Sequence, residues 1–292
     1  KKKKKLSKKA IRKAQAAAAS ITAAQKGYGV TVNAVAPAAD HAIIYGEQRV
    51  GGVIFFRDVS SDQKYLYTQI ALAGHEIEGI TKIFANNIEL TFSSNFVDTL
   101  SQFATNDEFQ IKDENGTVVN SAIRIATFFG TDTQQSSQIA LDSLGGGPNH
   151  RALGVAHLTI RLEYDPNVFP QGVPIFSALV KGKKVFDPRT SSTAWSSNAA
   201  LCLRDYLTSI YGLDAESDEM NDTDFTTAAN ICDENVALAV GGTEKRYTVN
   251  GSFVTSIPPD DIITDLVAAM AGTIYYSKVN GVLRQELTQR RF

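Results

Sequence analysis

The chain has 292 residues, 43% of them hydrophobic and 21% charged, the profile of an ordinary globular protein long enough to bury a large core. No apolar run approaches the ~20 residues that span a bilayer. The lysine-rich beginning also lacks a secretory apolar region and cleavage site, so a soluble, non-exported chain is expected.

The formal net charge of −2 conceals an asymmetry. Ten of the 29 basic residues fall at or before Lys26 with no acidic residue among them, which leaves 19 basic against 31 acidic residues in the body. Residues 1–27 are therefore read as a basic arm. Lys1, Lys2, Lys3, Lys4, Lys5, Lys8 and Lys9 are candidates for docking on an acidic surface of a neighbouring subunit or on nucleic acid, the alternative being a simply solvated run. Ala10 to Ala24 is helical by propensity but too poor in large apolar groups to build a core alone.

Strand signals dominate residues 28–190, which are assigned to a barrel-like β domain with an insertion at about 91–150. Tyr28 to Val35 alternates and is broken by Pro37. Arg49 to Val59 and Tyr65 to Ile77 read as a hairpin around Ser60-Ser61-Asp62, and Gly79 to Leu90 continues the pattern around Asn86-Asn87. Four strands with short connections make a meander or barrel rather than a βαβ fold. Phe109 to Lys112 and Ile123 to Phe129 form a second predicted hairpin, turning at Asp113 to Gly116, and Gln134 to Leu144 is a short amphipathic segment. Gly145-Gly146-Gly147-Pro148 is followed by another strand, not by the helix a phosphate loop needs. Ala156 to Tyr164 alternates cleanly, with His157, Thr159, Arg161 and Glu163 on one face and Leu158, Ile160, Leu162 and Tyr164 on the other. Ile175 to Phe186 is a strand pair turning at Gly182.

The stretch Val180 to Leu207 joins this β block to an α+β block at residues 191–292. Asp187-Pro188 stops the β run, Ser191 to Thr193 supply turn chemistry, and Ser196 or Ser197 caps a helix beginning near Asn198 and running to Tyr211. Ala200, Leu201, Leu203, Leu207 and Ile210 are its apolar stripe. Asp187, Pro188, Arg189, Trp195, Asn198, Leu203, Asp205 and Tyr206 are the candidate hinge residues. Arg189 is expected to bridge carboxylates, with Trp195 filling the space beneath. Phe225 to Ala237 is a second helix, preceded by the acidic connector Asp214 to Asp224; Lys245 to Phe253 is a strand. Asp260 to Met270 is a helix with two acids in its favourable first turn. Thr273 to Lys278 and Val282 to Leu287 form a hairpin around Asn280-Gly281. The fold class is thus β-rich α+β.

Catalytic patterns do not assemble. His41, His75, His150 and His157 are scattered, no GxSxG elbow occurs, and Cys202 and Cys232 belong to no metal or protease spacing and read as buried thiols. No enzyme activity, metal or cofactor is expected.

Several motifs in order carry a family resemblance. Tyr45-Gly46 with Arg49 to Gly52, Ala71 to Ile77, the DPRT, AW and NAALCLRDYL pieces of Val180 to Leu207, Ala229 to Asp233, Gly241 to Tyr247 and Asp265 to Met270 together resemble the hub region of long-tailed phage tip attachment, or central tail fiber, proteins. The resemblance covers most of Tyr45 to Leu287. It implies barrel-like hub domains followed by an α+β hub domain, assembled as a homotrimer that closes the tail tube at the virion's tail tip. Partners would be the tail tube, distal tail proteins and, through a C-terminal receptor-binding part expected beyond Phe292, a host receptor. DNA would pass through an acidic lumen without specific binding. The rival expectations are a glycan- or receptor-binding β module, which needs an exposed aromatic cluster, and a tail-associated cell-wall hydrolase.

Overall fold

A computed structural model describes residues 33–35, 39–143, 145–277 and 282–287. The basic arm, the alanine-rich segment, most of the Tyr28 to Val35 strand and the Asn280-Gly281 turn lie outside the described residues. The strands of the first half are Ala34–Val35 (β1), Ala42–Tyr45 (β2), Glu47–Val50 (β3), Val53–Val59 (β4), Tyr65–Ala73 (β5), Gly79–Ala85 (β6), Ile88–Glu89 (β7), Ser101–Phe103 (β8), Gln110–Lys112 (β9), Val118–Ser121 (β10) and Ile123–Phe129 (β11). A short helix, Gln138–Leu141 (α1), precedes Ala156–Glu163 (β12), Phe176–Lys181 (β13), Lys184–Asp187 (β14) and Ser192–Trp195 (β15). The helices Ala199–Leu207 (α2), Asp222–Cys232 (α3) and Pro259–Ala269 (α4) then alternate with Asn235–Ala237 (β16), Thr243–Lys245 (β17), Gly251–Val254 (β18), Gly272–Ser277 (β19) and Val282–Leu287 (β20).

The fold is β-rich α+β, with its larger sheets open. A six-stranded sheet runs β1-β4-β5-β12-β11-β8 and a four-stranded sheet runs β3-β13-β6-β7. Leu72, Ile125, Leu158 and Ile160 of the first sheet join Ile80, Ile83, Phe176 and Val180 of the second in one apolar core. The expected barrel is therefore a pair of facing sheets whose edge strands do not meet. The pair is created where the chain changes sheet at Gly51-Gly52, so that Arg49 and Val50 belong to β3 and Val53 begins β4. Gly52 has φ +71°, and a Cβ there would lie 2.3 Å from the Ala71 carbonyl oxygen, which no larger residue tolerates.

Period-2 patterning is obeyed where it was strongest. β4 and β5 form the expected hairpin, and β6 and β7 turn through Asn86 and Asn87, both at positive φ. Along β12, Leu158, Ile160 and Leu162 enter the main core; the opposite face, with His157 and Thr159, is buried as well. Ile139 of α1 packs with Tyr67 and Phe128 in a small cluster on the side away from the main core.

Other pairings differ from expectation. The Asp113 to Gly116 turn joins β9 to β10, while β11 runs between β12 and β8. β13 and β14 do not pair: β13 lies between β3 and β6, and β14 pairs with β15, so Thr193 is in a strand rather than a turn. The second helix is shifted towards the acidic connector, whose Asp222 and Asp224 occupy its favourable first turn, and residues 235–237 are extended. Lys245 to Phe253 is split between β17 and β18.

A second core gathers Leu201, Leu203, Tyr206, Phe225, Ile262, Leu266 and Met270 from α2, α3 and the α4 region. The two cores share one strand. In β2, Ile44 packs into the first core, whereas Ile43 and Tyr45 pack into the second. β2 hydrogen-bonds along β18, from the second half of the chain.

Candidate functional site

The residues singled out by sequence fall in two polar clusters rather than one, the first on this shared strand and the second at the end of α3. In the first, Asp205 of α2 accepts hydrogen bonds from the Tyr45 hydroxyl at 2.5 Å and from Lys183 Nζ at 2.7 Å. Burial, and then the adjacent Asp205 carboxylate, push the Tyr45 hydroxyl well above the usual tyrosine range, so it remains a donor. A charge-assisted bond from a buried phenol fixes the second-core face of β2 to α2. On the same strand the Ile44 N–H donates to His75 Nε2 at 3.0 Å, and His75 Nδ1 donates to the Glu76 carbonyl at 2.7 Å. That pattern requires the neutral imidazole, and burial lowers the His75 pKa to about 4.

In the second cluster Arg189 does bridge carboxylates, but its partners are Asp187 and Asp233, not Asp205. Its Nε and Nη2 bond Asp187 at 2.9 and 2.7 Å, and its Nη1 bonds Asp233 at 2.8 Å and the Asn230 side-chain oxygen at 3.2 Å. The Arg189 bonds hold the Asp187 carboxyl below its ordinary pKa. Asp233 is the residue that ends α3, so the guanidinium sits where a helix dipole favours a cation. Pro188 lies in the loop that carries Arg189 between β14 and β15. We expect Arg189→Ala to cost about 1–2 kcal/mol, since two half-covered carboxylates lose a charge-assisted partner. Denaturant unfolding of Arg189→Ala, Asp233→Ala and the double variant checks this. Strictly additive losses would mean the bridge contributes nothing.

Trp195 does not fill the space beneath Arg189. It pairs with Lys184 at the other end of the β14–β15 hairpin, its indole N–H donates to the Gly46 carbonyl at 3.2 Å, and Lys181 Nζ lies 4.9 Å from its ring centroid. An aromatic already covered in this way is poorly placed to act as a sugar platform.

Asn198 is the cap of α2, a role expected of Ser196 or Ser197. Its Oδ1 accepts from the Ala200 and Leu201 N–H groups, and its Nδ2 donates to the Ala229 carbonyl of α3 at 2.9 Å, so one buried amide starts one helix and ties it to the next. Leu203 is fully buried. Tyr206 is fully buried too; its ring stands edge-on to Phe253 and its hydroxyl donates to the Tyr211 carbonyl. The helix stops at Leu207, and Ile210, expected in the stripe, is exposed.

Sequence reading passed over Tyr45 as a structural group, and over His75, Lys183, Asp222, Asp233 and Arg204. Arg204 is the most informative of these. Its side chain is only 7% exposed, bonds Asp222 at 2.8 Å and lies over the Phe186 ring. An arginine beside Asp205 inside an otherwise apolar helix was the available signal. Cys202 and Cys232 are buried, and burial raises both thiols, Cys232 to about 11. Among the described residues, no three His, Cys, Asp or Glu side chains are placed to hold a metal ion.

The chain is similar to a chain of the "Virion of native gene transfer agent (GTA) particle", with a TM-score of 0.48 and 12% identity over 99% of this chain and 65% of that one. This chain thus spans just under two thirds of its structural neighbour. No protein-family model matches it, and no curated protein matches it in sequence.

Proposed function

We propose that this chain is a structural protein of a phage-like virion, and more finely the hub at the distal end of a long-tailed phage tail. In this role it forms a homotrimer that closes the tail tube, joins it to distal and receptor-binding parts, and transmits host attachment to DNA ejection. Its work is mechanical rather than catalytic.

The observation that carries this reading is convergence. The motifs on which the resemblance rests are dispersed from Tyr45 to Met270, and several of them meet at the strand shared by the two cores: Tyr45 on Asp205, His75 on Ile44 and Trp195 beside it on Gly46, with Arg189 on Asp233 in a second cluster at the end of α3. Their carboxylates and cations are spent on one another, which suits a clamp between two cores better than a reaction centre. The exposed sheet margin adds support. β8 ends the six-stranded sheet with Phe103 42% exposed, and Val119 of the neighbouring hairpin is 61% exposed. An apolar open edge is a hazard in a free monomer and an asset in an assembly.

Mass measurement and electron microscopy of the protein in assembled tails test the reading. A threefold ring on a hexameric tube is the expected result; one copy per tail or a twofold dimer would overturn it.

A further inference from the structure

The loop after α2 carries a feature that the joint does not use. From Asp205 to Glu244 the chain has ten acidic residues and no lysine or arginine, the reverse of residues 1–26, which have ten basic residues and no acid. At the head of that acidic stretch stand three exposed apolar side chains, Ile210 at 74%, Leu213 at 50% and Tyr211 at 38%. The backbone that presents them is fixed. The Gly212 and Asp214 N–H groups both donate to the Ser209 carbonyl, the Ala215 N–H donates to the Leu207 carbonyl, and the Tyr206 hydroxyl holds the Tyr211 carbonyl. A Cβ on Gly212 would lie 1.9 Å from the Tyr206 carbonyl oxygen, so the loop cannot be relaxed by an ordinary side chain. Asp214, Glu216, Asp218 and Glu219 follow immediately, all exposed, with Glu216 and Glu219 capping one another across a short 3₁₀ turn.

Apolar groups on a rigid loop, rimmed by acids, form a surface that a basic segment with a few large apolar residues would cover. We propose that the occupant is this chain's own N-terminal segment, Lys1 to Lys26, in the same or an adjoining copy. Its charge is the complement of the rim, and Leu6, Ile11 and Ile21 are its only large apolar residues. Individual exposed ion pairs contribute little, so the docking depends on several charges acting together and on the apolar ridge. It follows that the contact is sensitive both to salt and to the loss of Leu213.

Zero-length carbodiimide crosslinking of the full chain, read by mass spectrometry, tests this. Links from Lys1 to Lys13 should concentrate on Asp214, Glu216 and Asp218 and disappear in about 1 M salt, where the screening length falls to about 3 Å; those to Glu216 should weaken both in Asp214→Asn/Asp218→Asn and in Leu213→Ser. The exposed Asp113 and Glu114 of the β9–β10 turn serve as internal controls. Links spread equally over those two residues, or links unchanged by Leu213→Ser, would overturn the proposal. Deleting residues 1–26 should also raise amide hydrogen exchange over residues 209–219. Unchanged exchange there counts against it equally.

Discussion

Gly182→Ala is expected to unfold the joint and to cost about 3–5 kcal/mol, a large share of the 5–15 kcal/mol that holds a typical domain folded. A Cβ at residue 182 would lie 2.1 Å from the Ile44 carbonyl oxygen, 2.6 Å from its carbon and 2.9 Å from Ile44 Cγ2. Two of those atoms are backbone, so no rotamer change relieves the clash. Displacing Ile44 is costly because β2 is committed on every side. The Gly182 N–H donates to the Gly46 carbonyl, the Lys183 N–H to the Ile44 carbonyl and the Ile44 N–H to His75, while Ile43 and Tyr45 fill the second core. Moving the strand by an ångström breaks several of these at once. Gly147→Ala supplies the control, because a Cβ there meets nothing within 4 Å. Thermal and denaturant unfolding should separate the two variants widely; equal midpoints would show that the close approach at Gly182 relaxes without penalty.

The same glycine shows how far the joint was legible. A glycine between two β-type runs reads as a turn, and that reading places β13 and β14 side by side. What the residue type encodes is only that no Cβ fits, not which backbone comes close. The partner, Ile44, is about 140 residues earlier, in a strand of four residues with both faces buried. Such a strand has no alternation to detect, because its two faces serve two different cores. By contrast β12 was legible because it alternates over eight residues with its Leu158 face in a single core, and the β4–β5 hairpin because two β-branched and aromatic runs flank a polar turn. The α2 stripe was legible as far as Leu207, but not its end, because nothing local announces the Ser209 turn that stops it. Asp222 and Asp224 read as connector on charge alone, although acids in a first helical turn are favourable. Arg189 was correctly read as a bridge; its second carboxylate, Asp233, lies 44 residues away and no spacing rule reaches it.

Acid should destabilise the protein in a window set by two buried histidines. Burial lowers both His75 and His157 to about 4, from 6.5 in the unfolded chain. His157 is stacked on Phe128 at 4.5 Å between centroids and donates from Nδ1 to the Val155 carbonyl. Between pH 4 and 6.5 the unfolded chain binds these protons and the folded chain does not. Stability from this source is therefore complete above pH 6.5 and falls as the pH drops towards 4, by about 3 kcal/mol for each histidine. Asp187, whose pKa is lowered by Arg189, acts in a separate window that opens only below its unfolded value of 3.8. His75→Gln distinguishes the groups, because a glutamine oxygen can still accept from the Ile44 N–H but does not titrate. That variant should lose about half of the wild-type dependence between pH 6.5 and 4 and keep the rest through His157. A wild-type unfolding free energy that is flat across the window would show that neither ring is held neutral. A slope that His75→Gln leaves unchanged would place the whole effect at His157, and the Ile44 contact would then do no more than position a ring.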